Sequence, residues 1–132
     1  MTTPQAPRVL LVDDEANMRR SLRYLLEVED ITVVGECGDG VEAVALAQEV
    51  RPDVVLMDLR MPGLNGLEAT RQIKGVLPGT QVVIFTAYDD SGLGRQAEQA
   101  GAYRCLVKGC SGDELVDLVF QAYKAGDRPS GD

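Results

Sequence analysis

A chain of 132 residues, 45% apolar and 26% charged, is long enough to bury roughly two thirds of its unfolded surface in one core, which excludes a wholly disordered or fibrous protein. Thirteen basic against 21 acidic residues leave a net charge of −8, which repels nucleic-acid phosphates and anionic lipid. The apolar runs fall far short of the roughly 20 residues that cross a bilayer, and the polar opening MTTPQAP is not a signal peptide, so a cytoplasmic protein with no membrane partner is expected.

Five apolar runs alternate with segments of helical period. Arg8 to Val12 (RVLLV) reads as a buried strand, and Met18, Leu22, Leu25 and Leu26 follow at helical spacing. Thr32 to Cys37 is a second strand. After it Asp39 is placed to cap a helix, with Glu42 three residues on; Val41, Val44, Ala45 and Gln48 mark that helix, which stops before Pro52. The third strand is Val54 to Asp58, and its helix carries Leu67, Ile73 and Leu77. Gln81 to Thr86 is the fourth strand. The helix from about Ser91 to Ala100 is weakened by Gly92 and Gly94, each costing about 1 kcal/mol relative to alanine. The fifth strand runs from about Tyr103 to Val107. Ser111 to Glu114 (SGDE) then caps a last helix whose Leu115, Leu118, Val119 and Ala122 follow the i, i+3, i+4, i+7 rule. Strands without polar alternation, separated by helices, predict a parallel sheet covered on both faces, a (βα)5 domain. The division expected is a disordered tail over 1–7, the domain over 8–125, and a linker or C-terminal tail over 126–132.

Binding edges of such sheets lie beyond the strands' carboxyl ends, where strand order reverses. Strand one ends in Asp13 and Asp14, strand three in Asp58, strand four in Thr86, and strand five leads into Lys108. In the order 2-1-3-4-5 the three carboxylates converge. Two carboxylates about 4 Å apart repel by roughly 4 kcal/mol at an effective dielectric of 20, so the cluster calls for a cation. An all-oxygen donor set without histidine favours a hard ion, Mg2+, for which Mn2+ can substitute, and Mg2+ leaves coordination positions for a phosphoryl oxygen. Lys108 supplies a point charge and Thr86 a hydroxyl, both suited to phosphoryl oxygens. Asp58, at a strand end in open loops, is the carboxylate best placed to attack in line and take up the phosphoryl group.

Taken singly, each residue has a plainer role. Paired aspartates after a strand cap helices, Asp58 before Pro62 and Gly63 suits a turn, Thr86 suits a strand end, and Lys108 a solvated surface. Four residue types fitting one reaction, each at the end of a different strand, favour the joint site. Cys37, Cys105 and Cys110 lack CxxC spacing and any histidine, so they read as structural thiols; Cys110, near Lys108 and a helix start, is the one whose thiolate could be favoured.

The stretches LLVDDE (10–15), VVLMDLRMPGLNG (54–66), VIFTA (83–87) and LVKG (106–109) together resemble the receiver domain of bacterial two-component response regulators. The resemblance implies a doubly wound five-stranded parallel sheet of order 2-1-3-4-5, the flavodoxin-like (βα)5 receiver fold. It implies that Asp58 accepts a phosphoryl group from a sensor histidine kinase, that Asp14 and Asp58 ligate Mg2+ directly with the main-chain carbonyl of Arg60, that Asp13 acts mainly through water, and that Thr86 and Lys108 bind phosphoryl oxygens. It further implies a phosphorylation-dependent homodimer, and no enzymatic turnover beyond self-phosphorylation from small phosphodonors and self-dephosphorylation. GAYRCLVKGC (101–110) resembles the subfamily whose receivers precede a helix-turn-helix output domain. That domain is missing here, so the chain is a stand-alone receiver or, as expected, a portion ending in the linker, and DNA would be reached only through the added domain.

Two departures from the family pattern stand out. Cys105 occupies the position of a switch aromatic three residues before the lysine; Tyr103, two residues earlier and hence on the same strand face, is expected to replace it in part. Gly109 stands where proline often follows the lysine, which leaves the isomer of that peptide open. Arg60 and Tyr88, two residues after Asp58 and Thr86, are expected to tune the lifetime of the acyl phosphate. Three rival readings remain: an Asp-dependent phosphohydrolase, disfavoured by adjacent aspartates in place of DxD; a flavodoxin-like cofactor binder, disfavoured by carboxylates where a phosphate loop should be; and a receiver fold that binds partners without phosphorylation, disfavoured by the complete acid, threonine and lysine set.

Overall fold

Apolar residues of opposite parity along each strand sort into two cores, one on each face of a single sheet. In a computed structural model of the chain, which describes residues 6–61, 63–87 and 92–126, the elements run β1 (Arg8–Val12), α1 (Ala16–Glu27), β2 (Thr32–Cys37), α2 (Gly40–Val50), β3 (Val54–Met57), α3 (Gly66–Val76), β4 (Gln81–Thr86), α4 (Leu93–Ala100), β5 (Arg104–Val107) and α5 (Gly112–Gly126). All strand pairs are parallel and the order is β2-β1-β3-β4-β5, as the sequence leads one to expect. Val9, Leu11, Leu56, Val83 and Phe85 face the core under α1 and α5, which contribute Leu22, Leu26, Leu115, Val119 and Ala122. Leu10, Val12, Val55, Met57 and Ile84 face the other core, closed by Ala43, Ala47, Ala69, Ile73 and Ala97 of α2, α3 and α4. Each fully buried aliphatic side chain contributes about 1.5–3 kcal/mol. No described helix is long and apolar enough to cross a membrane.

The capping residues behave as their positions suggest. Asp39 Oδ1 accepts from Glu42 N–H at 2.8 Å, Asn65 Oδ1 from Glu68 N–H at 2.9 Å, and Ser111 Oγ from Glu114 N–H at 3.1 Å. The inward face of α2, however, differs from the expectation. Gly40, Ala43 and Ala47 are buried and only Val44 of the expected set packs in part, while Val41 is 64% exposed. Small residues win this face because α2 lies close to its neighbours: a Cβ on Gly40 would collide with the carbonyl of Leu64. Strand edges shift by one residue, so Asp58 falls just beyond β3 and Tyr103 just before β5, although Asp58 N–H still donates to Val12 O and Tyr103 N–H to Val82 O. Helix α4 begins at Leu93; Ser91 lies outside the described residues.

Candidate functional site

The parallel register sets the ends of β1 and β3 side by side, pairing Val12 with Met57. The next residues are therefore neighbours. Asp13 N–H donates to Cys37 O and Asp58 N–H to Val12 O, which carries the ladder one step past the strands and fixes both aspartates on the same edge. Asp13 is 2% and Asp58 8% exposed, whereas Asp14 is exposed. One carboxylate oxygen from each of Asp13, Asp14 and Asp58 lies within 4.8 Å of the others. Lys108, arriving from β5, places Nζ 2.7 Å from Asp13 Oδ2 and 3.4 Å from Asp58 Oδ2, with the same ammonium 5.9 Å from the centre of the Phe85 ring. Its main-chain N–H donates to Thr86 O at 2.6 Å, which ties the lysine to the end of β4, where Thr86 is fully buried.

Both oxygens of Asp13 are engaged, Oδ1 by Glu15 N–H at 2.9 Å and Oδ2 by Lys108. Asp58 Oδ1 accepts from Leu59 N–H at 2.7 Å. Burial, joined by the charge of Asp13, raises the Asp58 carboxyl above its ordinary range, against the opposing pull of Lys108 and the Leu59 N–H. Burial also works against the Lys108 charge, but its hydrogen bond to Asp13 and the charges of Asp58 and Asp13 outweigh it and hold the ammonium above its usual value. A negative cluster with two buried members and one exposed, in which Lys108 bridges only the buried pair, is short of positive charge. Its donors are all carboxylate oxygens, which fits a hard divalent ion.

A family model described as the response regulator receiver domain matches residues 9–120. The chain belongs to the response regulator receiver family. Among curated relatives of this receiver, the transcriptional regulatory protein LiaR of Bacillus subtilis is 42% identical over 118 residues, covering 89% of this chain and 56% of LiaR. Response regulator GacA of Pseudomonas aeruginosa is 39% identical over 122 residues, 92% of this chain and 56% of GacA. The chain thus spans about half the length of the curated relatives it matches. The solved response regulator domain of Thermotoga maritima CheB matches with a TM-score of 0.84 at 36% identity, covering 91% of this chain and 98% of that one. A two-component response regulator of the LuxR family from Aurantimonas sp. SI85-9A1 matches with a TM-score of 0.87 at 35% identity, covering 92% and 87%.

Of the residues singled out from the sequence, the receiver structure brings Asp13, Asp14, Asp58 and Lys108 into one cluster. It sets Thr86 on the adjoining strand end. Arg60 is exposed in the loop after Asp58, and Tyr88 lies outside the described residues. The peptide after Lys108 is trans, and Gly109 has φ +102°, a left-handed value closed to proline; this explains the glycine. Cys110 agrees with the reading as a structural thiol rather than with the alternative of a favoured thiolate: burial, with Glu114, raises its pKa. Tyr103 and Cys105 line one cavity of about 280 Å³ beside α4, yet Tyr103 packs on the α1/α5 core and Cys105 on the opposite one. The expected shared face fails because Tyr103 precedes β5, where strict alternation has not begun.

Three supports were not read from the sequence. Gly66 passes so close to Asp58 that a Cβ there would strike the Asp58 carbonyl; in the sequence it reads only as loop punctuation, although a glycine at a helix start straight after the cap Asn65 was its signal. The Leu59 N–H on Asp58 Oδ1 is a contact of the main chain just past β3 that no pattern marks. Arg19 is the third.

Proposed function

We propose that this receiver is a phosphorylation-dependent switch in which Asp58 accepts a phosphoryl group from the phosphohistidine of a sensor histidine kinase, in the presence of Mg2+. The observation that carries the reading is the cluster of Asp13, Asp14 and Asp58 with their oxygens within 4.8 Å, bridged in part by Lys108. Asp14 and Asp58 would hold the ion directly, Asp13 would act mainly through water, and the main-chain carbonyl of Arg60 would complete the set. Bound there, Mg2+ supplies charge neutralisation and polarisation of phosphoryl oxygens. An Asp58 oxygen forms the new O–P bond as the N–P bond of the phosphohistidine breaks, and the imidazole leaves with the electron pair and takes a proton from solvent.

Lys108 then turns from the acids to the phosphoryl oxygens, joined by the Thr86 hydroxyl. Because the Lys108 main chain is bonded to Thr86, the ends of β4 and β5 respond together. The surfaces of α4 and α5 beside them change in consequence and favour a second copy of the chain or an output domain that controls transcription. Residues 8–125 form the switch; DNA would be met only through a further domain. Incubation with acetyl phosphate and Mg2+, followed by intact mass, tests the core of this reading. A single phosphoryl adduct that disappears in Asp58→Asn is expected; no adduct, or an adduct retained in that variant, overturns it.

A further inference from the structure

Arg19 stands one turn into α1 with its guanidinium turned back toward β1. Its Nη1 donates to the main-chain carbonyl of Asp13 at 2.5 Å, and its Nε to Glu36 Oε1 of β2 at 3.1 Å. Glu36 is itself held from the other side by Arg23, whose Nε lies 2.6 Å from Oε2. The side chain of Arg19 is only 21% exposed, so this is not a solvated surface pair. On the strand side, Asp13 N–H is bonded to Cys37 O. The peptide group on each side of Asp13 is therefore gripped, one by β2 directly and the other by β2 through Glu36 and Arg19. Asp14 follows immediately, and its exposed carboxylate has its direction set by the main chain that carries it. The Asp13 carbonyl is the part of that chain which Arg19 holds.

We propose that Arg19 is a positioning residue for the acidic cluster: anchored by Glu36, it orients the Asp13–Asp14 peptide and so presents the Asp14 carboxylate to a divalent ion. The inference rests on the metal-dependent reading above and assigns a role outside the acid, threonine and lysine set. The planar fork of arginine suits the task, since two of its nitrogens reach a carbonyl and a carboxylate at fixed angles and a lysine has a single head. Groups that orient ligands in this way change metal affinity by about 10- to 100-fold when removed.

Mn2+ binding to the whole chain, followed by the loss of the free-ion paramagnetic resonance signal, provides a readout separate from phosphorylation. Arg19→Gln should weaken Mn2+ binding by about tenfold. Arg23→Gln, which also loses a bond to Glu36 but touches no part of Asp13, should stay within about twofold, and Arg19→Lys, which keeps a cation for the carbonyl but loses the fork, should fall between. The Mg2+ concentration at half-maximal adduct formation should move by the same factors. Should Arg19→Gln prove unfolded by circular dichroism, the Arg19→Lys and Arg23→Gln pair carries the comparison. Unchanged affinity in the Arg19 variants, or an equal loss in Arg23→Gln, would overturn the assignment while leaving the functional reading intact. Absence of Mn2+ binding in the unsubstituted chain would instead overturn the functional reading.

Discussion

Asp58→Asn should make the metal-free protein more stable, not less. The Asp58 and Asp13 oxygens lie within 4.8 Å of each other, a repulsion of about 3.5 kcal/mol at an effective dielectric of 20, and Lys108 Nζ at 3.4 Å returns about 5 kcal/mol on the same basis. Taken together the two pair terms leave about 1.5 kcal/mol in favour of the charge. The cost of burying the Asp58 charge exceeds that, which is the direction in which the Asp58 pKa is displaced. Asparagine removes the charge and keeps an oxygen for Leu59 N–H. A gain of about 1 kcal/mol is expected in EDTA, or a few degrees in Tm. Since an acid with a raised folded-state pKa favours its neutral form on folding, the advantage of the variant should be present above that pKa and vanish as pH falls through it. Adding Mg2+ to about 100 times its Kd should stabilise the original protein by about 2.7 kcal/mol and the variant by much less, inverting their order. Urea denaturation with and without EDTA reads both quantities. A variant less stable in EDTA, or one that gains as much from Mg2+ as the original, would refute the reasoning.

Three further outcomes follow from single contacts. Gly66→Ala puts a Cβ against the Asp58 carbonyl and 2.9 Å from Leu59 Cα, backbone atoms with no freedom to swing aside, and should lower stability by about 1–3 kcal/mol, seen as a lower urea midpoint at constant slope. Burial opposes the Glu36 charge, but hydrogen bonds and charges from Arg23 and Arg19 outweigh it and lower its pKa below the ordinary 4.5; the stability it contributes is present above 4.5 and lost as pH falls through the lowered value, so Glu36→Gln should flatten the acid limb of a stability-against-pH curve. The Cys37 thiol, pushed up to about 11 chiefly by burial, should resist iodoacetamide at pH 8 in the folded protein and react after unfolding in urea, as peptide mass mapping would show.

How much of this could be read from the sequence depended on whether a residue's role was set by its own element or by a distant one. Asp13, Asp58 and Lys108 were legible because a charge that ends an unbroken apolar strand stands at the sheet's binding edge, and because parallel strands put their ends on one side. The last helix was legible for the same local reason: Leu115, Leu118, Val119 and Ala122 are all buried. The inward face of α2 was misread because valine looks more core-like than alanine, while the separation of α2 from Leu64, which no periodicity encodes, selected the small residues. Arg19 escaped notice because an arginine on an amphipathic helix ordinarily reads as its solvated side; only the fold reveals that Glu36 and the Asp13 carbonyl lie within its reach.

Gly109 and Cys105, the two departures from the family pattern, act on different things. Cys110 N–H donates to Val107 O at 3.3 Å, closing a turn with Lys108 and Gly109 at its centre, and the φ of +102° at Gly109 is what a turn with a left-handed third residue requires. Lys108 is thus the first central residue of a tight turn that starts on the last residue of β5, and its N–H is bonded to Thr86. These main-chain bonds set where the Lys108 side chain departs from the strand end, and Asp13 and Asp58 hold its ammonium. Cys105 takes no part in these bonds; it lines cavities of about 280 and 330 Å³ toward α4 and α5. A small residue there leaves the aim of the lysine untouched while removing bulk between the strand and its flanking helices. On the proposed function, a change at position 105 is expected to act on the coupling to the α4 and α5 surfaces more than on the acceptor aspartate, as comparing Cys105→Ala with the original protein for adduct formation and for dimerisation would show.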